Sequence, residues 1–133
     1  MRICRLALPF VLATASAAAA EGLRPGLYDV EVRIEIPHID TSDYDFTRQI
    51  CLADASEDLG PMGPGPLAQC PGEVRASGKW LDVTTTCPGP NAGTALARYR
   101  ETPRGFKGVV SLNMGGKNMT LAERQTGTWL GPC

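Results

Sequence analysis

The sequence predicts an all-β domain, an antiparallel up-and-down meander of seven or eight strands forming a curled sheet, partly closed barrel or sandwich. Three observations predict it. Apolar and polar residues alternate with period two along much of the chain. Tight-turn signals recur at Gly78-Lys79, Pro103-Arg104-Gly105 and Gly115-Gly116. The stretch from Cys70 to Cys87 is self-complementary: with a turn at Gly78-Lys79, Ala76 faces Leu81, Arg75 faces Asp82, Val74 faces Val83 and Cys70 faces Cys87.

The elements follow in order. From Leu27 to Ile36, Tyr28, Val30, Val32, Ile34 and Ile36 alternate with charged residues, the mark of a strand with one buried face. Pro37 ends it and Asp40 to Asp43 is a polar turn. A second strand spans about Tyr44 to Leu52. Asp54 and Glu57 have capping-box spacing, which predicts one short helix near 54–59, stopped by Gly60-Pro61. Gly60 to Pro71 is a Pro/Gly loop. The hairpin comes next, with glycine leading a type II′ turn. Counting outward, Cys70 and Cys87 fall on a non-hydrogen-bonded pair, where Cα atoms are ~4.5 Å apart, within disulfide range. Pro71 has no N–H for its partner Thr86, so that end of the ladder is an edge or a bulge. Thr94 to Glu101 and Phe106 to Met114 read as strands. A two-residue turn at Gly115-Gly116 sets Leu112 against Met119, Val110 against Leu121 and Gly108 against Glu123. A last strand starts near Thr128.

Residues 1–20 read as a signal peptide, with Arg2 and Arg5, an apolar run from Leu6 to Ala15 and the small residues Ala18-Ala19-Ala20. The run is shorter than the ~20 residues that span a bilayer. Cleavage near Ala20-Glu21 leaves one domain, 21–133, expected to be periplasmic or secreted. Without Arg2 and Arg5, eleven basic residues stand against fourteen acidic ones, a net charge of −3. That balance gives no electrostatic reason to bind nucleic acid, and no mature segment has the length and apolarity of a membrane span.

Cys4 leaves with the peptide. Cys51, Cys70, Cys87 and Cys133 remain, an even count behind an export signal, which reads as two disulfides. A zinc site would want closer cysteine pairs or histidines nearby, and His38 is the only histidine. Four cysteines allow three connectivities. The hairpin register selects Cys70–Cys87, which leaves Cys51–Cys133.

Gly26-Leu27-Tyr28-Asp29-Val30 at the mature start, Gln49-Ile50-Cys51-Leu52, the intervening Cys70 and Cys87, and a terminal Leu130-Gly131-Pro132-Cys133 occur in one order. Together they resemble the exported bacterial family called domain of unknown function 3617. Tyr28 stands where that family usually has tryptophan, and Ala53-Asp54-Ala55-Ser56 replaces its usual Thr-Pro-Glu. The resemblance implies a β-rich periplasmic or secreted protein. It brings no activity and no catalytic residue.

Nothing in the sequence marks a reaction. No serine occupies a Gly-x-Ser-x-Gly elbow, and the mature cysteines are expected to be oxidised. His38, the pair Asp43 and Asp45, and the pair Glu57 and Asp58 read as solvated loop charge. Glu123 shares a face with Leu121 and Met119; a carboxylate there needs a partner, for which Arg98 or Arg100 serve, or a rim position. Met62, Met114 and Met119 are the candidate thioether ligands of a copper-handling protein, with core filling as the plainer use. Trp80 and Trp129 cover the sheet or line a ligand mouth. The reading is a non-catalytic binding or envelope-accessory module without a cofactor, whose partner is an envelope protein or a small apolar ligand. Its alternatives are methionine-based copper handling and a lipocalin-like carrier.

Overall fold

In a computed structural model, which describes residues 22–53, 58–89, 92–117 and 119–133, the chain forms one antiparallel sheet. Its strands are β1 (Gly26–Glu35), β2 (Phe46–Leu52), β3 (Gly72–Ser77), β4 (Trp80–Thr86), β5 (Thr94–Thr102), β6 (Gly105–Asn113) and β7 (Thr120–Gly131). They lie in the order β2-β1-β7-β6-β5-β4-β3. This is the sequence order of an up-and-down barrel opened between β2 and β3, because every other consecutive pair is bonded and β7 returns to β1. The meander expectation holds, with seven strands and no closure. The helix expected near 54–59 falls mainly on residues 54–57, outside the described residues.

The β3–β4 hairpin has the register that its residue pairing demands. Ser77 faces Trp80, Ala76 faces Leu81, Arg75 faces Asp82 and Val74 faces Val83. Gly78 takes the positive φ, +58°, that this turn requires and that a residue with a Cβ resists. The ladder runs out at Pro71, whose carbonyl accepts the Thr86 N–H at 3.4 Å but which has no proton to return. One residue further on, Cys70 and Cys87 form a disulfide with Cα atoms 5.1 Å apart. Cys51 is bonded to Cys133 across the start of β1, with Cα atoms 5.9 Å apart.

The β6–β7 hairpin differs from expectation by two residues. Leu112 pairs with Leu121 and Val110 with Glu123, rather than Met119 and Leu121. The connection is longer than two residues because Gly115–Lys117 makes a 3₁₀ turn, begun where the Asn113 side chain accepts the Gly115 N–H at 3.0 Å. The Met114 N–H then bonds the Met119 carbonyl at 2.9 Å. Side chains alternate with period two, so a slip of two leaves each residue on its expected face but moves it along that face. β7 also runs unbroken from Thr120 to Gly131, absorbing the separate last strand.

One face of the sheet carries the core. Tyr28, Val30 and Val32 of β1, Val83 of β4, Ala97 and Tyr99 of β5, and Phe106 and Val110 of β6 are all buried there. Three rings meet across the middle: Phe106 lies 5.1 Å from Tyr28 and 5.6 Å from Tyr99, centroid to centroid. Glycine makes room for two of them. Tyr99 lies over its cross-strand partner Gly108, and Phe106 over Gly127. A Cβ on Gly108 would come within 2.2 Å of the Tyr99 ring, and one on Gly127 within 2.3 Å of Phe106.

These two glycines are therefore packing positions. Gly108→Ala and Gly127→Ala are each expected to lower stability by about 1–3 kcal/mol, the usual cost of overfilling a packed site. Urea denaturation measures it, and unchanged midpoints would show that the rings have room to move.

Candidate functional site

The segment joining the two sheet edges, from β2 to β3, does not loop away from the sheet. Leu59, Met62 and Leu67 are buried against the core face. Proline and glycine dominate here because a chain crossing an apolar surface must dispose of its backbone donors. Pro61, Pro64 and Pro66 have none. The Met62 and Gly63 N–H groups do, and both are taken up by one side chain.

That side chain is Glu123. Its Oε2 accepts the Met62 N–H at 2.9 Å and its Oε1 accepts the Gly63 N–H at 2.8 Å. Gln125 Nε2 donates to Oε2 at 2.9 Å and to the Gly60 carbonyl at 2.8 Å. The Tyr99 hydroxyl donates to Gln125 Oε1 and accepts the Gly60 N–H, both at 2.8 Å. Glu123 and Gln125 are each 1% exposed and Tyr99 is fully buried. Burial, aided by the Glu123 charge, pushes the Tyr99 phenol well above the ordinary tyrosine range. Gly63 is small for a reason, since a Cβ there would approach Glu123 Oε1 to 2.8 Å. The cluster has the look of an acid–base site, yet its donors and acceptors are spent on one another and on the backbone of Gly60, Met62 and Gly63. It is a clamp.

Glu123 thus departs from both sequence expectations. It is not at a rim, because the segment carrying Met62 and Gly63 lies over it and leaves it 1% exposed. Nor is its partner an arginine, since Arg98 and Arg100 project from the other face of β5. Backbone amides of a Pro/Gly segment carry no sequence signal as partners, which is why reasoning from side chains misses them.

The other candidates are scattered. His38 is exposed in the turn after β1, with φ +66°. Asp43 is exposed in a 3₁₀ turn, and Asp45 Oδ1 accepts the Ile34 N–H at 3.2 Å. Asp58 is exposed, while Glu57 lies outside the described residues. Met62 is core, Met114 is half-buried beside the segment and Met119 is 42% exposed. Among the described residues no three or more His, Cys, Asp or Glu side chains group to hold a metal. Trp129 donates from Nε1 to the Pro25 carbonyl at 3.1 Å, with the Arg24 guanidinium 3.4 Å above its ring.

The opposite face of the sheet is uncovered and has two hollows. One, of about 750 Å³, is lined by Thr84, Leu96, Ser111, Ala122, Glu35 and Ile36. The other, of about 470 Å³, is lined by Trp80, Arg98, Arg100, Lys107, Val109 and Arg124. Leu96 and Val109, 56% and 39% exposed, are the large exposed apolar side chains beside these hollows. Arg98 makes a two-pronged contact with Asp82, at 2.8 and 2.9 Å, and holds that carboxyl below the usual range.

A model of a family described as a protein of unknown function, DUF3617, matches residues 23–133. The chain belongs to the DUF3617 family. No curated protein and no solved structure matches the chain. The stretches by which it resembles the family have structural work in this DUF3617 chain. Gly26 to Val30 opens β1 at the centre of the core, and Gln49 to Leu52 ends β2 with a bridged cysteine. The terminal Pro132-Cys133 follows β7 and carries the other half of that bridge.

Two outcomes follow for the clamp. Glu123→Ala leaves two buried amides without acceptors, so it should cost about 2–5 kcal/mol and open residues 59–69 to limited proteolysis. Wild-type resistance in that variant would show that the carboxylate does not hold the segment. Tyr99 adds a pH dependence. Its phenol binds a proton more tightly folded than unfolded, so its contribution is complete below about pH 10 and shrinks as pH rises beyond that value. Alkaline unfolding followed by circular dichroism should therefore be shallower in Tyr99→Phe than in wild type, and equal slopes would refute it.

Proposed function

We propose that this DUF3617 protein is an exported, non-catalytic binding module that engages its partner through the uncovered face of its sheet. The observation carrying this is the asymmetry of the two faces. The core face is occupied by the chain's own segment 59–69, clamped by Glu123, Gln125 and Tyr99. A carrier that kept its cargo there would have to expel that segment and strand its amides. The other face exposes Leu96, Val109 and a cationic surface beside two hollows. Two disulfides favour an oxidising, extracellular compartment. Among the described residues no helix is long and apolar enough to cross a membrane. Export to the periplasm after cleavage near Ala20-Glu21 completes the reading.

A photoreactive residue replacing Ser111 in the exported protein tests it. Irradiation in cells followed by intact mass measurement should give a discrete adduct, absent when Leu96→Asp is added. A matching probe at Gln49, on the same face at the far edge, should give none. Adducts of equal yield from both positions, or none from Ser111, would remove the outer face as the binding surface. A mature mass that still includes residues 1–20 would end the export reading independently.

A further inference from the structure

On the outer face the sequence matches cations with acids. Arg33 lies 2.8 Å from Glu31, Arg75 3.8 Å from Glu73, Arg98 2.8 Å from Asp82, and Arg124 hydrogen-bonds Glu35 at 2.6 Å. Two cations break the pattern. Arg100 of β5 and Lys107 of β6 are directly opposite one another in the ladder, both exposed, and neither makes an ion pair among the described residues. Like charges directly opposite weaken a sheet. Trp80 is the next residue in the same row and lines the same hollow of about 470 Å³.

This charged hollow and the wider one lie along the same two strands. Moving along β6 from Lys107 leads to Val109, then Ser111 and Asn113. Moving along β5 from Arg100 leads to Arg98, then Leu96 and Thr94. At ~3.4 Å per residue the path from Lys107 to Asn113 is about 20 Å. Val109 is the apolar bridge between the unmatched cations and the hollow lined by Leu96, Ala122 and Ile36. The face is thus cationic at one end, and at the other carries the apolar side chains of Leu96, Ala122 and Ile36 among the polar ones of Thr84, Ser111, Asn113 and Glu35.

Resting on the reading that the outer face is the binding surface, we propose that its occupant is a single-chain anionic amphiphile. Its carboxylate or phosphate head is held by Arg100 and Lys107 beside Trp80. Its hydrocarbon chain passes over Val109 into the hollow at Leu96. Charge complementarity selects the head, because two adjacent ammonium and guanidinium groups gain from one shared anion. The shallow hollow of about 750 Å³ beside Leu96, Ala122 and Ile36 has room for one hydrocarbon chain. A polyanion without apolar groups would leave Leu96 and Val109 in water.

Titration calorimetry of the mature, disulfide-bonded protein distinguishes the sources. Probes are laurate, dodecyl phosphate, dodecyl maltoside, inorganic phosphate and a poly-glutamate peptide, the amphiphiles below their micelle concentrations. Laurate and dodecyl phosphate should each bind at least about tenfold more tightly than the neutral maltoside or inorganic phosphate. Lys107→Glu supplies the missing acid opposite Arg100, so it should preserve or raise the melting temperature while weakening both anionic amphiphiles by about tenfold or more. Leu96→Asp should weaken them without altering phosphate. Equal binding of the maltoside would make the site merely apolar, equal binding of phosphate merely anionic, and tighter binding of poly-glutamate would make it a peptide site. Each of these, or no binding by any probe, overturns the proposal. Survival of the Ser111 adduct in those cases would leave the outer-face reading intact.

Discussion

Everything in this fold depends on how an open sheet covers its apolar face. A closed barrel hides its interior by curling until the first and last strands meet. Here β2 and β3 do not pair, and the core face would stand open. The chain between them supplies the cover, and the Glu123 carboxylate makes that possible. Irregular backbone laid on hydrocarbon is tolerable only if its amides find acceptors. The carboxylate supplies two oxygens at the point of crossing, while prolines remove further donors. Tyr99 accepts the Gly60 N–H and Gln125 donates to the Gly60 carbonyl, so the segment is gripped at Gly60, Met62 and Gly63.

The disulfides extend the same logic to the ends of that segment. Cys51 lies in β2 just before it begins, and Cys70 follows its last 3₁₀ turn, just before β3. Cys51 is tied to the end of β7 through Cys133, and Cys70 to the end of β4 through Cys87. By the chain-entropy model, loops of 82 and 17 residues contribute about 4.5 and 3 kcal/mol respectively. Each bond also fixes an edge strand that has only one ladder neighbour. Cover, clamp and staples form one device.

Much of this was legible because strand periodicity is robust to error. The β3–β4 register could be read from residue complementarity, and its bridge with it, since apolar, ionic and thiol pairs all required the same turn. The β6–β7 register could not. Gly115-Gly116 looks like a two-residue turn, but the Asn113 side chain captures the Gly115 amide and opens a 3₁₀ turn instead. Face assignments survived that slip because it was even. Position along the face did not: Glu123 lies opposite Val110 rather than Gly108, and it is the covering segment, not the slip, that buries it. The covering segment was hidden for a different reason. Gly60 to Pro71 has few side chains to show a pattern, and its role is carried by backbone amides and their distant partners.

The division between the two faces follows from the same constraint. A sheet that seals one face with its own chain has settled that face's chemistry, and its aromatic rings, glycines and carboxylate are all fixed by internal fit. The other face owes nothing to packing, so its side chains are free of that requirement. Four of its arginines nevertheless have acidic neighbours, which shows that the sequence can match charge where stability alone is at stake. Substituting an acid at position 107 would have completed the pattern at no cost in packing, since Lys107 is exposed. Keeping Arg100 and Lys107 opposite one another carries a small standing penalty in the sheet. An acidic side chain at either position would relieve it, as Asp82 does for Arg98.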